Sequence, residues 1–169
     1  ALHLALAWFG RSPGIGWGED DAQYFNLARD LADLGYHERW DVSAPFHVRY
    51  PPLFPALLAL VGIPSGWNVD AMLFVIALCS AIGIVLFFDA ARRTVGVELA
   101  LLASVLWAFN PQTVHFAGLV LSESLFNLFF AMALWGIARE DEATKYGILA
   151  GAGVAAAARR GLGERQGDD

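Results

Sequence analysis

Apolar residues in this chain come in runs separated by short polar breaks, with one long polar interval near the start. Residues 1–9 (ALHLALAWF) are apolar but far short of the about 20 residues a helix needs to span a bilayer; they read as the end of a partial first membrane helix. The run 71–88 (AMLFVIALCSAIGIVLFF) is long enough to cross, and stops at Asp89 just before Arg92-Arg93. A second crossing is predicted at 97–120, with Asn110-Pro111 inside it. Proline in a helix removes a hydrogen bond and clashes with the turn before it, so a kink or a helix end is expected there. Further crossings are predicted at 124–138 (SLFNLFFAMALWGIA) and 146–158 (YGILAGAGVAAAA), the latter rich in small residues that let helices pack closely. The stretch PPLFPALLALVGIP is too short between its prolines to span and is expected as an interfacial or re-entrant piece. Residues 161–169 are polar and patternless, as in a disordered tail after a truncation. On this reading residues 1–160 are the N-terminal part of a longer multi-pass membrane domain.

The polar interval, 10–52, holds one regular pattern. Tyr24, Leu27, Ala28, Leu31 and Leu34 fall at helical spacing and make one apolar stripe, with Gln23, Asn26, Arg29, Asp30 and Asp33 on the other side. The spacing predicts a helix over 20–34, with Asp20 as its N-cap, Asp21 in its first turn and Gly35 as the left-handed residue that ends it. Such a helix cannot cross a bilayer and is expected to lie along its surface. The fold class that follows is all-α integral membrane: multi-pass transmembrane helices, with an amphipathic interfacial helix in a long first external loop.

Composition agrees. The 169 residues are 57% hydrophobic and 17% charged, where a soluble domain has about 45–50% and about 25%; the mean hydropathy is +0.48. A net charge of −6 without a basic stripe excludes a nucleic-acid partner. The single Cys79 allows no disulfide within the chain, the four histidines are scattered without zinc-type spacing, and no Gly-rich phosphate loop follows a strand. Arg92-Arg93 follow the first full crossing, whereas the interval before it carries seven acidic residues against four basic. The excess of Lys and Arg on cytoplasmic loops then puts Arg92-Arg93 inside and the acidic loop outside. Counting crossings from there returns Ser122-Glu123 to the same outer face as Asp20-Asp21.

Three places on that face carry candidate chemistry. An ionised Asp20 or Asp21 can take a proton from an attacking hydroxyl or bind a divalent cation that holds a phosphate; the plainer role of Glu19-Asp20-Asp21 is to cap a surface helix. Ser122 and Glu123 likewise suit the cap and first turn of the next membrane helix, yet an acidic residue at such a mouth also marks a site. Arg49, before Tyr50-Pro51-Pro52, could clamp a phosphate or anchor the chain by snorkelling.

The order of these features resembles the N-terminal part of GT-C class membrane glycosyltransferases, the family of protein O-mannosyltransferases and lipid A aminoarabinose transferases. The resemblance rests on Asp20-Asp21-Ala22-Gln23-Tyr24 running to Gly35, on Arg49-Tyr50-Pro51-Pro52-Leu53, and on Leu121-Ser122-Glu123-Ser124 opening a membrane helix. It implies a glycosyltransferase that moves a sugar from a polyprenyl-phosphate-linked donor to a lipid, glycan or protein acceptor outside a bacterial or archaeal plasma membrane. It further implies Asp20 and Asp21 as catalytic residues, with Arg49, Glu123 and Tyr24 binding substrate. A divalent metal ion, Mg²⁺ or Mn²⁺, would be linked to Asp20 and Glu123. Asp21 stands where relatives usually carry Glu, and Ala158-Arg159-Arg160-Gly161 departs from the Thr-Arg-Pro of relatives; the chain alone is expected to be inactive. A transporter or channel piece is the rival from another class, and it predicts ionisable residues at mid-membrane. A non-catalytic membrane scaffold is the third reading.

Overall fold

The protein is described by a computed structural model that covers residues 1–16, 20–38, 42–43 and 45–139. Glu19, the crossing expected at 146–158, Arg159-Arg160 and the tail 161–169 lie outside the described residues. In chain order the helices are α1 (Leu2–Phe9), α2 (Asp21–Ala32), α3 (Leu53–Ser65), α4 (Val69–Val95), α5 (Val97–Ala108), α6 (Pro111–Ala117) and α7 (Glu123–Ala138). There is no strand among the described residues, and one isolated antiparallel bridge joins His37 to Phe46.

The longest apolar run forms the longest helix. Asn68 caps α4 by accepting from the Ala71 N–H at 3.1 Å, and Arg92 and Arg93 meet the negative end of its dipole. Its 27 residues extend about 40 Å at 1.5 Å per residue. Among the described residues it is the one helix long and apolar enough to cross a membrane; α3, α5 and α7 are apolar but shorter. At Asn110-Pro111 the chain ends one helix and starts another. The Asn110 side chain accepts from the N–H groups of Gln112 and Thr113, and Pro111 takes the first position of α6, where no N–H is needed.

Contacts along α4 fix its neighbours. The backbone of α7 near Leu128 approaches Gly83, and the Trp135 indole N–H donates to Asp89 at 2.8 Å. Both pairs advance together along the chain, so α7 runs parallel to α4, and α5, which follows the turn at Gly96, packs on α4 as well. His3 ties α1 to α4 and α5. Its Nδ1 meets the Ala108 carbonyl at 2.8 Å and so carries the proton, which leaves Nε2 to accept from the Ser80 hydroxyl at 2.9 Å. At the start of α4, Arg11 pairs with Asp70 at 2.9 Å and the Ser12 N–H donates to the Gly118 carbonyl. The segment leading into α7 is thereby held against the end of α1.

The apolar stripe of α2 faces protein. Tyr24 and Ala28 join Phe54, Leu58, Met72 and Ile76 in one core cluster built from α2, α3 and α4, closed by Val120. Two details differ from the sequence pattern. Leu34 is 96% exposed and leaves the stripe, because the helix ends at Ala32. The left-handed residue is Leu34, with φ 63°, rather than Gly35. The Leu34 N–H donates to the Leu31 carbonyl and the Gly35 N–H to the Asp30 carbonyl, the paired bonds of a Schellman end. Gly35 is needed for a different reason: a Cβ there would lie 2.7 Å from Oδ2 of the buried Asp30, which accepts from the His37 N–H at 2.6 Å.

Opposite effects are expected at these neighbours. Leu34→Gly should stabilise the protein by about 1 kcal/mol, by relieving the left-handed strain of a side chain. Gly35→Ala should destabilise it by about 1–3 kcal/mol through overpacking on Asp30. Thermal unfolding in detergent micelles reads both. Equal shifts of one sign would refute this account of the helix end.

Candidate functional site

Two helices begin in the same neighbourhood, and neither uses its cap residue as a cap. Asp20 precedes α2, and its carbonyl accepts from the Tyr24 N–H, but its side chain makes no capping bond. The carboxylate instead accepts a 2.5 Å hydrogen bond from the Tyr50 hydroxyl, 30 residues further on. Ser122 precedes α7 and likewise makes no side-chain cap; its hydroxyl is hydrogen-bonded to the Tyr24 hydroxyl at 3.2 Å. Both departures bring a polar group toward a tyrosine at the cost of a helix end.

Tyr24 and Tyr50 form the centre. Their rings lie 4.7 Å apart at 49°, and Tyr24 also meets Phe54 edge-on at 4.9 Å. The Arg49 guanidinium sits 5.2 Å from the centroid of the Tyr50 ring and has no ion-pair partner among the described residues. Burial pushes the Tyr24 phenol above its ordinary value. The Ser122 hydrogen bond opposes that rise, the charges of Glu123 and then Asp20 add to it, and Arg49 opposes it. Asp20, Glu123 and Arg49 therefore all lie within electrostatic reach of one hydroxyl. Tyr50 is pushed up to about 12, first by burial and then by the hydrogen bond to Asp20 and by its charge.

The acidic neighbours divide. Asp21 is 1% exposed and turned inward, with one oxygen accepting from the Gly16 N–H at 2.8 Å and the other from the Ala22 N–H at 2.6 Å. It ties the loop after α1 to the start of α2. Glu123 opens α7, and its Oε2 is buried with no hydrogen-bond partner among the described residues. A buried carboxylate oxygen in that state is costly unless a ligand supplies the missing partner.

Two cavities meet at the start of α7. One, of about 230 Å³, is mostly apolar and is lined by Tyr24, Pro51, Phe54, Ser122, Leu125 and Phe129 among others. The other, of about 310 Å³, is more polar and includes Asn110, Gln112, Thr113, Glu123 and Asn127. Phe126 borders both. This end of α4, near Met72 and Ile76, is the opposite end from Asp89, Arg92 and Arg93.

No cluster of three or more His, Cys, Asp or Glu side chains occurs among the described residues. The Asp20 carboxylate is bonded to Tyr50, and Glu123 follows Ser122, which bonds Tyr24; both carboxylates raise the Tyr24 phenol through their charge. Asp20 and Glu123 are the carboxylates here that could contribute to a divalent-cation site, with phosphate and water supplying the remaining ligands.

Sequence reasoning missed the loop that supports Tyr50. His47 is 2% exposed, its Nδ1 lies 2.8 Å from Glu38 Oε1, and its Nε2 accepts from the Tyr50 N–H at 2.9 Å. The Tyr36 hydroxyl donates to the Tyr50 carbonyl at 2.8 Å. The available signal was the density of Tyr and His over 36–50, just before Pro51-Pro52.

A family model described as dolichyl-phosphate-mannose-protein mannosyltransferase matches residues 49–159, well over half of the chain. Arg49 and Glu123 fall inside the match, whereas Asp20, Asp21 and Tyr24 precede it. Comparison with curated proteins and with solved structures returned no match.

The raised tyrosines have a consequence for stability. Burial pushes Tyr36, like Tyr50, up to about 12. Each keeps its proton in the fold while the unfolded chain ionises at its ordinary 10. Their contribution to stability is therefore complete below pH 10 and is lost as pH rises from 10 through 12. The melting temperature should fall over that window, and the Tyr36→Phe, Tyr50→Phe double variant should show a shallower fall. An equal slope in both proteins would contradict it.

Proposed function

The chain belongs to the dolichyl-phosphate-mannose-protein mannosyltransferase family, membrane glycosyltransferases of GT-C type, and on that premise we propose that it transfers a sugar from a polyprenyl-phosphate carrier to an acceptor at the non-cytoplasmic face. The observation that carries this reading is the meeting of the starts of α2 and α7 at the Tyr24–Tyr50 pair, where Tyr50 holds the Asp20 carboxylate, Arg49 lies over the Tyr50 ring and Tyr24 bonds Ser122 next to Glu123, at the end of α4 away from Arg92-Arg93.

In this reading Asp20 takes the proton of the acceptor hydroxyl as its oxygen attacks the anomeric carbon. The bond from that carbon to the carrier phosphate breaks, and polyprenyl phosphate leaves with the electron pair, inverting the configuration. Arg49 offsets the charge on the departing phosphate, and Tyr24 with Ser122 borders the donor beside the apolar cavity. Glu123 accepts from the acceptor, or shares with Asp20 a divalent cation, whose chemistry would be to neutralise phosphate charge. Asp21 acts by holding the start of α2. The contribution of the protein is mainly orientation and preorganised charge.

The short α2 then lies along the membrane boundary on the outer side, where a carrier phosphate sits at headgroup depth. The apolar residues turned outward on α4, α5 and α7, such as Phe74, Ile82, Leu102 and Phe130, would face lipid or further helices of a multi-pass domain.

Two experiments test this. Asp20→Asn should lower kcat by about 10²–10⁴-fold, the usual range for a general base, while Arg49→Ala should raise the donor KM. Normal transfer by Asp20→Asn would end the catalytic assignment. In a Cys79→Ser background, single cysteines at Asn26 and Gln112 should react with an impermeant thiol reagent on intact cells, and one at Thr94 only after lysis. Labelling of Asn26 and Gln112 from opposite faces would make a shared site impossible.

A further inference from the structure

We propose that Tyr50 is a positioning residue for the Asp20 carboxylate, and that His47, backed by Glu38, holds Tyr50 in the orientation this requires. The proposal rests on the reading of Asp20 as the base.

Tyr50 is restrained at every part it has. Its N–H donates to His47 Nε2 at 2.9 Å, and its carbonyl accepts from the Tyr36 hydroxyl at 2.8 Å. Its ring stacks on the His47 imidazole, with centroids 5.1 Å apart at 22°, and packs on Tyr24 at 4.7 Å. Because Nε2 receives an N–H, the proton of His47 sits on Nδ1 and is donated to Glu38 Oε1 at 2.8 Å. The ring of Tyr36 meets that imidazole edge-on at 5.7 Å, which keeps it upright. Pro51 adds its own restriction by disfavouring helical geometry at the residue before it.

All of this restraint delivers one hydroxyl to one carboxylate oxygen, Oδ1 of Asp20, at 2.5 Å. Among the described residues the other oxygen makes no hydrogen bond, and it is the one left for an acceptor hydroxyl. Asp20 forgoes capping its own helix for this arrangement. A tyrosine serving only to pack would not require that exchange, since its ring contacts with Tyr24 and His47 do not involve the hydroxyl. A base locked by a neighbour whose own rotamer is locked keeps its lone pair aimed at the reacting proton, and misplacement by about 1 Å costs about 100-fold in rate.

The test measures release of polyprenyl phosphate from a polyprenyl-phosphate mannose donor by the intact protein in membranes. It compares Asp20→Asn, Tyr50→Phe and the double variant. Tyr50→Phe keeps the ring and should lower kcat about tenfold to hundredfold with the donor KM unchanged. On the Asp20→Asn background the same change should cost nothing more, because the group it positions is gone. An equal loss on both backgrounds, a rise in KM in place of the kcat loss, or wild-type turnover by Tyr50→Phe would each overturn the proposal while leaving Asp20 as the base. Full activity of Asp20→Asn would remove the base itself, and the positioning role falls with it. If Tyr50→Phe does not accumulate in membranes, Tyr36→Phe, which frees only the Tyr50 carbonyl, carries the same comparison.

Discussion

Tyr24 is where the hydrophobic core and the polar site share a side chain. Its ring is buried among Phe54, Leu58 and Met72, while its hydroxyl reaches Ser122 in the company of Asp20, Glu123 and Arg49. The ring cannot shift without opening the packing of α2 on α3 and α4, so the hydroxyl is as fixed as the core. Burying an aromatic ring of this size contributes far more than a single surface hydrogen bond. The polar groups are thus located by apolar packing, and their mutual electrostatics need only select orientation.

That division explains why two helix starts can forgo their caps. Replacing a good N-cap by a residue without a capping side chain costs about 1 kcal/mol. Here Asp20 and Ser122 are chemically suited to cap, yet both side chains are directed to tyrosines. Asp21 recovers part of the loss at α2 by accepting from the Ala22 N–H and securing Gly16. At α7 a buried oxygen of Glu123 has no hydrogen-bond partner among the described residues. Two cap-suited side chains turned away from their helix ends at one place, in a chain where Asn68 and Asn110 do cap, point to a function for that place.

What could be read from the sequence follows the range of the interactions involved. The helix break at Asn110-Pro111 was legible because cap and proline chemistry is local. The run 71–88 was legible as a helix, though α4 continues through Arg92-Arg93 to Val95. The end of α2 was placed two residues late and its left-handed residue one residue late, since Leu34 takes the left-handed position while Gly35 is demanded by a tertiary neighbour, Asp30. Asp20 and Asp21 looked like a pair in one dimension. Successive side chains at a helix start point about 100° apart, which sends one carboxylate to Tyr50 and the other into the loop after α1. Tyr50, His47 and Glu38 were illegible for the same reason in stronger form: what matters about them is a contact across 30 residues that no periodicity encodes.

The placement of charge along α4 ties the site to the membrane. At one end Asp89 takes both Arg92 and Arg93 and the Trp135 indole, while Arg139 lies over that ring at 4.2 Å. This grouping of basic residues with an amphipathic aromatic ring suits a headgroup region. At the other end the paired tyrosines and carboxylates sit beside an apolar cavity bordered by Leu125 and Phe129. On the proposed reading, a substrate with a charged head and a hydrocarbon tail would find polar groups and apolar side chains together there. A soluble sugar nucleotide would leave that apolar wall wet. A lipid-linked donor, as proposed above, would account for a polar centre built at the mouth of the helices rather than midway along them.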